Sequence, residues 1–375
     1  TDRQKETAAQ RWVRAVNNHG GFGRWLFIME TEPTKLREQL VALARPMTFP
    51  LEPAPAGLLE PDDWQTIVVE QPKPPAPETP RRRDWNDWVA ASRTRNFMLR
   101  DPLLDWLGLY GEQRGFVRDD AGDGYDERTD FSRFMFQKTR AFERKVVEHL
   151  QRAQRDVVTI AKSPGETRDA NKVSETIAAM KAGVDVIYQG VLHDEGTRTY
   201  GTPDLLVRSD VLETLFPGVY DLDVDWFASR FGEQPSEPIA RIGADGLGRA
   251  FHYRVVDVHF TTLHLLKSGE LSNEGTGRAH KAQLFLYNRA LGRAQGYQPV
   301  SSFLLGRGWE QGEARGRNAL ERLAVVPQDS LLARDRTLSN EVEHAIAWMR
   351  RVRKSGESWE VLPTPVVDEL RPNMT

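Results

Sequence analysis

Side chains able to bind a divalent cation occur in a fixed order along the second half of this chain. Asp204 follows a Gly-Thr-Pro turn and starts an apolar segment, and Asp257 ends the apolar run at residues 253–256. A carboxylate inside a buried strand is unfavourable unless it is paired or binds a metal ion, which favours a functional role. Because side chains alternate along a strand, we expect His259 on the same face as Asp257.

Two carboxylates on neighbouring strands suit phosphodiester hydrolysis. That reaction needs a cation that neutralises the phosphate oxygens, a water made nucleophilic and a positive group facing the developing charge. Asp204 and Asp257 would supply the cation site, and the Val258 carbonyl could add a neutral ligand, since Mg²⁺ and Mn²⁺ prefer oxygen donors. Glu143 flanks the apolar stripe of a predicted helix, where it is either a plain surface residue or a metal-site residue.

Three further groups of residues are candidates for substrate contact. Gln283 and Tyr287 are four residues apart on a predicted helix and therefore share one face. Taken alone, that pair is more simply a core tyrosine with a glutamine at its rim. Arg93 and Arg95 lie in an aromatic, arginine-rich stretch, so they are candidates for phosphate contact, with a solvated helix face as the alternative.

The elements expected to position these residues make an α/β fold. Hydrophobic periodicity predicts helices over residues 131–153, about 173–182, 277–291 and about 339–354. It predicts strands over residues 184–192, 204–208, 253–260 and 301–306. This order indicates a mixed sheet flanked by helices, with residues 193–200 and 243–249 as polar connections between antiparallel strands.

The first part of the chain is predicted to be a separate module with its tether. Residues 1–44 have the pattern of a small α-β-α segment, too short to fold well alone. Recurrent prolines over residues 45–83 predict an extended linker. Residues 84–375 are then the main domain, beginning with helices packed on it. The chain starts without an initiator methionine, so a fragment of a longer polypeptide is expected.

Composition limits the functional classes. Hydrophobic residues make up 39% and charged residues 28%, which is typical of a soluble globular protein. A net charge of −3 argues against a highly basic nucleic-acid coat protein but allows a local cationic groove. The absence of cysteine excludes disulfides, Cys-ligated zinc and an iron–sulfur cluster. With no long apolar segment and no signal-peptide pattern, we expect a cytoplasmic protein without a membrane partner.

In this order the motifs resemble the PD-(D/E)XK nuclease superfamily, specifically its RecB-like branch, over about residues 131–306. The resemblance implies a restriction-endonuclease-like αβββαβ core with a helical N-terminal extension. It also implies that Glu143, Asp204 and Asp257 are the acidic residues of a Mg²⁺ or Mn²⁺ site that cleaves DNA. Gln283 and Tyr287 match the helix signature of the branch and would lie near bound DNA.

The chain departs from the superfamily pattern at one position. His259 stands where the catalytic lysine is expected, and a neutral imidazole offers little positive charge at pH 7. Turnover is therefore expected to be slow, shifted to lower pH or absent, with Lys267 and Lys281 as candidate substitutes. The alternative is a catalytically degenerate domain that acts as a DNA-binding or scaffold module. The three retained acids speak against it, because clustered negative charge does not help to bind phosphate.

A second resemblance concerns the beginning of the chain. Residues 10–18, with Gly23-Arg24-Trp25 and the predicted strand after them, are similar to the tail that follows the helicase core in type III restriction subunits and related superfamily 2 helicases. No Walker A loop occurs, so no nucleotide cofactor is expected in this chain. The resemblance implies a helicase or ATPase module, or other subunits of an anti-phage defence or repair complex, as partners, with a slight preference for restriction.

Overall fold

The computed structural model describes residues 84–118, 126, 130–232, 234–235, 237–361 and 367–370. All of them belong to the second of the two units into which the chain divides, Arg81–Thr375. The predicted α-β-α segment at residues 1–44 and the predicted linker at residues 45–83 lie outside the described residues.

Helices and strands of the described residues alternate along the chain. The α-helices are α1 (Arg95–Met98), α2 (Leu103–Trp106), α3 (Phe131–Arg152), α4 (Ala170–Ala182), α5 (Ser209–Leu215), α6 (Asp221–Phe231), α7 (Gly277–Gln295) and α8 (Leu338–Ser355). The strands are β1 (Val89–Ala90), β2 (Val157–Thr159), β3 (Val186–Tyr188), β4 (Leu192–Asp194), β5 (Thr199–Gly201), β6 (Leu205–Arg208), β7 (Tyr253–Leu265), β8 (Ser301–Gln311), β9 (Ala314–Gly316), β10 (Ala324–Pro327), β11 (Leu331–Ala333) and β12 (Arg336–Thr337). None of the described helices is both long enough and apolar enough to cross a lipid bilayer.

A seven-stranded mixed sheet has the strand order β10-β8-β7-β6-β3-β2, with β9 paired to β8. Strands β3, β6 and β7 are antiparallel neighbours, whereas β7 and β8 are parallel and are joined through α7. Parallel neighbours need such a crossover connection. A small second sheet has the order β1-β5-β4. The prediction of an α/β fold with a mixed sheet is therefore confirmed.

Two apolar cores lie on opposite faces of the large sheet. Val256 and Val258 of β7 pack in the core that includes residues of α3, whereas Val255 packs in the core that includes residues of α7 and α8. Since both faces of β7 are covered, its first half is an almost continuous apolar run. The alternation puts Asp257 on the same face as Val255, toward α7.

The helices that carry candidate residues begin and end at capping residues. Asp130 starts α3, because its Oδ1 accepts a hydrogen bond of 2.9 Å from the backbone amide of Arg133. Helix α7 ends at Gly296, whose φ of +75° is left-handed and favours glycine. The helices predicted over 131–153, 173–182, 277–291 and 339–354 are confirmed within a few residues.

The single strand predicted over residues 184–192 is wrong. Strand β3 ends at Tyr188, and the chain resumes at Leu192 as part of the second sheet. Gln189 has a φ of +55° and turns the chain, and a Cβ on Gly190 would lie 2.8 Å from Cδ1 of Leu206. An apolar run does not reveal such a turn. Residues 193–200, predicted as a connection, contain most of the β4–β5 hairpin.

Candidate active site

Asp204 and Asp257 face each other across the neighbouring strands β6 and β7. The backbone amide of Asp204 donates to Oδ1 of Asp257 at 3.2 Å, and the backbone amide of Val258 donates to Oδ2 of Asp204 at 2.8 Å. The antiparallel register, with Leu205 opposite Val256, brings the two aspartates together. The predicted convergence of these carboxylates is thus present in the structure.

Two glutamine amides hold this pair of carboxylates. Nε2 of Gln189 donates to Oδ1 of Asp204 at 2.8 Å, and Nε2 of Gln283 donates to Oδ2 of Asp257 at 2.9 Å. The Tyr287 side chain, one turn further along α7, is buried and hydrogen-bonds Gln283 and the backbone of Thr202. Gln283 and Tyr287 therefore lie at the site, where they orient Asp257.

Glu143 approaches the same cluster from α3, on the other face of the sheet. The Tyr188 hydroxyl donates to Oε2 of Glu143 at 3.4 Å. Burial, together with the nearby charge of Asp257, raises the pKa of Glu143. Burial, followed by the charges of Glu143 and Asp204, raises the pKa of Tyr188 to about 12, so this phenol keeps its proton at neutral pH.

The two aspartates differ in their affinity for a proton. Burial, and then the charges of Asp257 and Glu143, raises the pKa of Asp204 well above its usual range. Burial alone would raise the pKa of Asp257 as well, but hydrogen bonding and charge from His259 and the Asp204 amide lower it. Of the two aspartates, Asp204 is thus the one that binds a proton more readily, and a proton there competes with a cation that binds both carboxylates.

His259 occupies the predicted face of β7 beside Asp257. Its Nε2 lies 3.1 Å from Oδ2 of Asp257, and its ring centroid lies 4.3 Å from that of His280. Burial, followed by the charges of His259 and Arg95, lowers the pKa of His280 to about 3, so His280 is neutral. The ring of His259 is thus held between a carboxylate and a neutral imidazole.

Neither lysine considered as a substitute joins the cluster. Lys281 is 1% exposed, and burial lowers its pKa to about 8, with Glu270 and Arg278 as its charged neighbours. Lys267 is exposed beyond the end of β7, roughly 30 Å from Asp257 along an extended strand. Neither lysine is among the main groups whose charges or hydrogen bonds shift the pKa of Asp204, Asp257 or Glu143.

Two clefts open beside the carboxylates. Cleft 1 has a volume of about 510 Å³, and its lining includes Glu143, Tyr188, Gln189 and the cations Arg140, Arg144 and Lys162. Cleft 2 has a volume of about 570 Å³, and its lining includes Arg93, Arg168, Tyr200, Gly201, Thr202 and Tyr287. Of the two arginines predicted to contact substrate, Arg93 lines cleft 2. Arg95 belongs to the lining of neither cleft, and its charge helps to lower the pKa of His280.

Sequence reasoning missed several residues of this site. Gln189 and Tyr188 end the apolar run of β3 at the same sheet edge as Asp204, and that interruption was the available signal. Arg140 precedes Glu143 by nearly one helical turn, so its presence at the site follows from the placement of α3. Nothing in the local sequence marks Lys162 as a cleft residue.

The donor set fits a hard divalent cation. Carboxylate oxygens are the ligands that Mg²⁺ and Mn²⁺ prefer, and each ionised carboxylate oxygen keeps acceptor capacity after one hydrogen bond. Burial and, after it, neighbouring negative charge raise the pKa values of Asp204 and Glu143, and a bound cation would offset both effects. In the described part of the chain, no three His, Asp or Glu side chains are close enough to hold a metal ion together. Asp204 and Asp257 are the residues that could hold such a cation, and Glu143 lies at the margin of the pair.

No family model and no curated protein matches this chain. Its function is accordingly inferred from the chemistry of the site.

Proposed function

We propose that this chain is a Mg²⁺- or Mn²⁺-dependent deoxyribonuclease of the PD-(D/E)XK superfamily, within the RecB-like branch. The observation that carries the proposal is the reciprocal hydrogen bonding of Asp204 and Asp257 across β6 and β7. Glu143 and Gln283 approach that pair from helices on opposite faces of the sheet. Such an arrangement gathers carboxylate oxygens at one sheet edge, next to the cleft that Glu143 lines, as metal-assisted hydrolysis requires.

The order of elements supports a restriction-endonuclease-like core. Helix α3 precedes three antiparallel neighbours, β3, β6 and β7, after which α7 crosses over to β8, parallel to β7. The proposed αβββαβ core comprises α3, β3, β6, β7, α7 and β8, and it requires β2, α4, the β4–β5 hairpin, α5 and α6 to be additions. A fold alone does not determine function, so the proposal depends on the side chains around Asp204 and Asp257.

The side chains have separate roles in the proposed reaction. A divalent cation held by Asp204 and Asp257 would withdraw charge from the phosphodiester and polarise the attacking water. Gln189 and Gln283 fix the carboxylate orientations by donating amide protons. Glu143, whose raised pKa makes it a better base than an ordinary carboxylate, accepts a proton from water at the margin of the site.

Positive charge for the phosphate comes from the cleft walls in this proposal. His259 donates its Nε2 proton to Asp257, so that nitrogen does not face substrate as a lysine amine would. Arg140 lines cleft 1 with Glu143, and its charge opposes the rise in the pKa of that acid. Arg140 and Lys162 are therefore the cations that would face the developing negative charge.

His259 also favours a second candidate function, a catalytically degenerate domain that binds DNA or serves as a scaffold. In that case Glu143, Asp204 and Asp257 would be present, but the protein would not cleave DNA. For either function, the resemblance of the N-terminal residues leads us to propose that the chain works with a helicase or ATPase module in a restriction, anti-phage defence or repair system.

A cleavage assay separates the two functions. Labelled single- and double-stranded DNA is incubated with Mg²⁺ or Mn²⁺ between about pH 6 and pH 9, using wild type, Asp204→Ala and Asp257→Ala. Asp245→Ala, at an exposed turn, is the matched control. Cleavage that is lost in both site variants and retained in the control supports the nuclease.

Wild type that binds DNA without cutting it, at every pH and with both metals, supports the degenerate domain. His259→Lys then tests whether one cation is missing. The nuclease proposal expects this variant to cleave about tenfold faster near pH 8, because it supplies the lysine that the superfamily pattern has at this position. An increase from no activity to measurable activity would assign the loss of cleavage to position 259.

A further inference from the structure

Cleft 1 and cleft 2 lie side by side and share part of their lining, and the two are treated together as one groove. Pro164, Thr167 and Thr202 line both of them. The groove therefore runs from Glu143, at the proposed metal site, past the start of the Gly-Thr-Pro turn to Tyr200 and Arg93. A polymeric substrate cut at one end of this groove would have its neighbouring units in cleft 2.

The groove is lined by cations that have no ion-pair partner among the described residues. They are Arg140, Arg144 and Lys162 in cleft 1 and Arg93 and Arg168 in cleft 2. Buried Arg254, by contrast, is paired with Asp223 at 2.7 Å. No aspartate or glutamate belongs to the lining of cleft 2. Cleft 2 is thus a locally positive surface on a chain with a net charge of −3.

Arg168 is held in a fixed orientation at the far end of the groove. Its Nε donates to the Tyr200 hydroxyl at 3.1 Å, and its guanidinium lies 5.4 Å from the Trp85 ring centroid and 5.6 Å from that of Tyr200. These contacts use the Nε proton and the flat face of the guanidinium. The terminal nitrogens are left in a plane suited to a phosphate.

The dimensions and lining of the groove favour one strand over a duplex. A volume of 510–570 Å³ per cleft is comparable with a small-molecule site and has room for about one or two nucleotides. Trp85, Trp88, His193 and Tyr200 form an aromatic cluster beside Arg168, with Trp85 and Tyr200 centroids 5.2 Å apart. Trp88 and Tyr200 are buried, whereas half-buried Trp85 has ring surface for an unpaired base beside a cation.

We propose that the groove binds a single DNA strand, with Arg93 and Arg168 forming a phosphate-binding subsite next to the cleavage site. This inference rests on the proposed function and specifies its substrate as single-stranded. Arg168 acts by contact with the strand, and Tyr200 and Trp85 position it.

Binding without cleavage tests the subsite directly. Fluorescence anisotropy is measured with full-length chain, a labelled single strand of about 20 nucleotides and Ca²⁺ in place of Mg²⁺, over a range of salt concentrations. Arg93→Ala/Arg168→Ala is compared with wild type and with Arg241→Ala/Arg249→Ala. The latter arginines are exposed in the segment that leads into β7, so they match the change in charge.

The site variant should bind the single strand at least about tenfold more weakly, with a salt slope lower by about 1.4, or about 0.7 for each lost phosphate contact. The control variant should stay within about twofold of wild type. Arg168→Lys keeps the charge without the fork and should have intermediate affinity. Circular dichroism and thermal unfolding confirm that each variant is folded.

Equal weakening by both double variants, or tighter binding of a matched duplex or of single-stranded RNA than of the DNA strand, would overturn the inference. The two proposals fail separately. Cleavage that depends on Asp204, combined with binding indifferent to Arg93 and Arg168, removes only the subsite. Arginine-dependent binding of the strand without any cleavage removes only the nuclease.

Discussion

Gln283 connects two features that the sequence suggested separately, the metal-site carboxylate and the helix signature. Its amide donates to Oδ2 of Asp257 at 2.9 Å, and its side chain also meets Tyr287. Removing that donor leaves His259 as the side chain that holds Oδ2 of Asp257, and it leaves the buried Tyr287 hydroxyl with one partner fewer. Gln283 is therefore a positioning residue.

Gln283→Leu should raise the Mg²⁺ concentration for half-maximal cleavage by about 10- to 100-fold, because supports of metal ligands contribute that much to affinity. A metal titration of cleavage rate measures the effect. Gln151→Leu, at an exposed position on α3, serves as control. An unchanged metal requirement in Gln283→Leu would mean that Asp257 is oriented without it.

Among single residues, the sequence allowed prediction of those that lie in short motifs with a defined spacing. Asp204, Asp257, Gln283 and Tyr287 are such residues, and all meet at one sheet edge. Gln189 could not be predicted in the same way. Its amide reaches Asp204 only because its own backbone adopts a φ of +55°, which no local pattern indicates.

Among the elements, β5 packs closely against α7 near the site. An ideal Cβ on Gly201 would lie 2.2 Å from Cε1 of Tyr287, so the last residue of β5 packs directly on the tyrosine ring. Only glycine permits this distance without moving the helix. The Gly-Thr-Pro-Asp turn thus serves packing as well as the placement of Asp204.

Gly201→Ala should lower the free energy of unfolding by about 1–3 kcal/mol, the usual range for overpacking a filled core. It should also weaken metal binding, because α7 carries Gln283, which hydrogen-bonds Asp257. Chemical denaturation gives the first quantity. Gly108→Ala, where an added Cβ meets nothing within 4 Å, is the control. Equal stability of the two variants would contradict the assigned packing.

Long periodic elements were predicted well, and short ones were not. Helices α3 and α7 have an unambiguous apolar stripe and definite ends. Strands of two or three residues, such as β1 and β4, have too few side chains to show a period and are fixed by their partners in the second sheet. The groove walls depend on those short elements, which is why the groove was not predicted.

Across the whole molecule, buried histidines should make stability depend on pH. Burial, followed by the charge of Arg254, lowers the pKa of His252 to about 3, and its Nδ1 lies 2.8 Å from the Ile242 carbonyl oxygen. The unfolded chain binds this proton at a pKa of about 6.5. Between those values only the unfolded state is protonated, so stability is complete above pH 6.5 and falls as the pH decreases toward 3.

Lowering the pH from 7 to 5 should therefore cost wild type about 2 kcal/mol more than it costs His252→Gln, at about 1.4 kcal/mol for each pH unit below 6.5. His280 is present in both proteins, so its contribution to the change in unfolding free energy is the same in each and cancels in the comparison. Denaturant unfolding at the two pH values measures the difference. His344→Gln, at an exposed position on α8, should behave as wild type does. Equal pH dependence in His252→Gln and wild type would contradict the buried neutral state.

The central claim is that Asp204 and Asp257 together hold one divalent cation at the sheet edge, and Mn²⁺ binding tests it most directly. Electron paramagnetic resonance of free Mn²⁺ gives the binding curve for wild type, Asp204→Asn and Asp257→Asn at about pH 6 and pH 8. We expect a site in wild type that either substitution abolishes. Its affinity should be higher at pH 8, because the raised pKa of Asp204 makes protons compete at lower pH. Mn²⁺ bound equally by wild type and both variants, or by none of them, would contradict the claim.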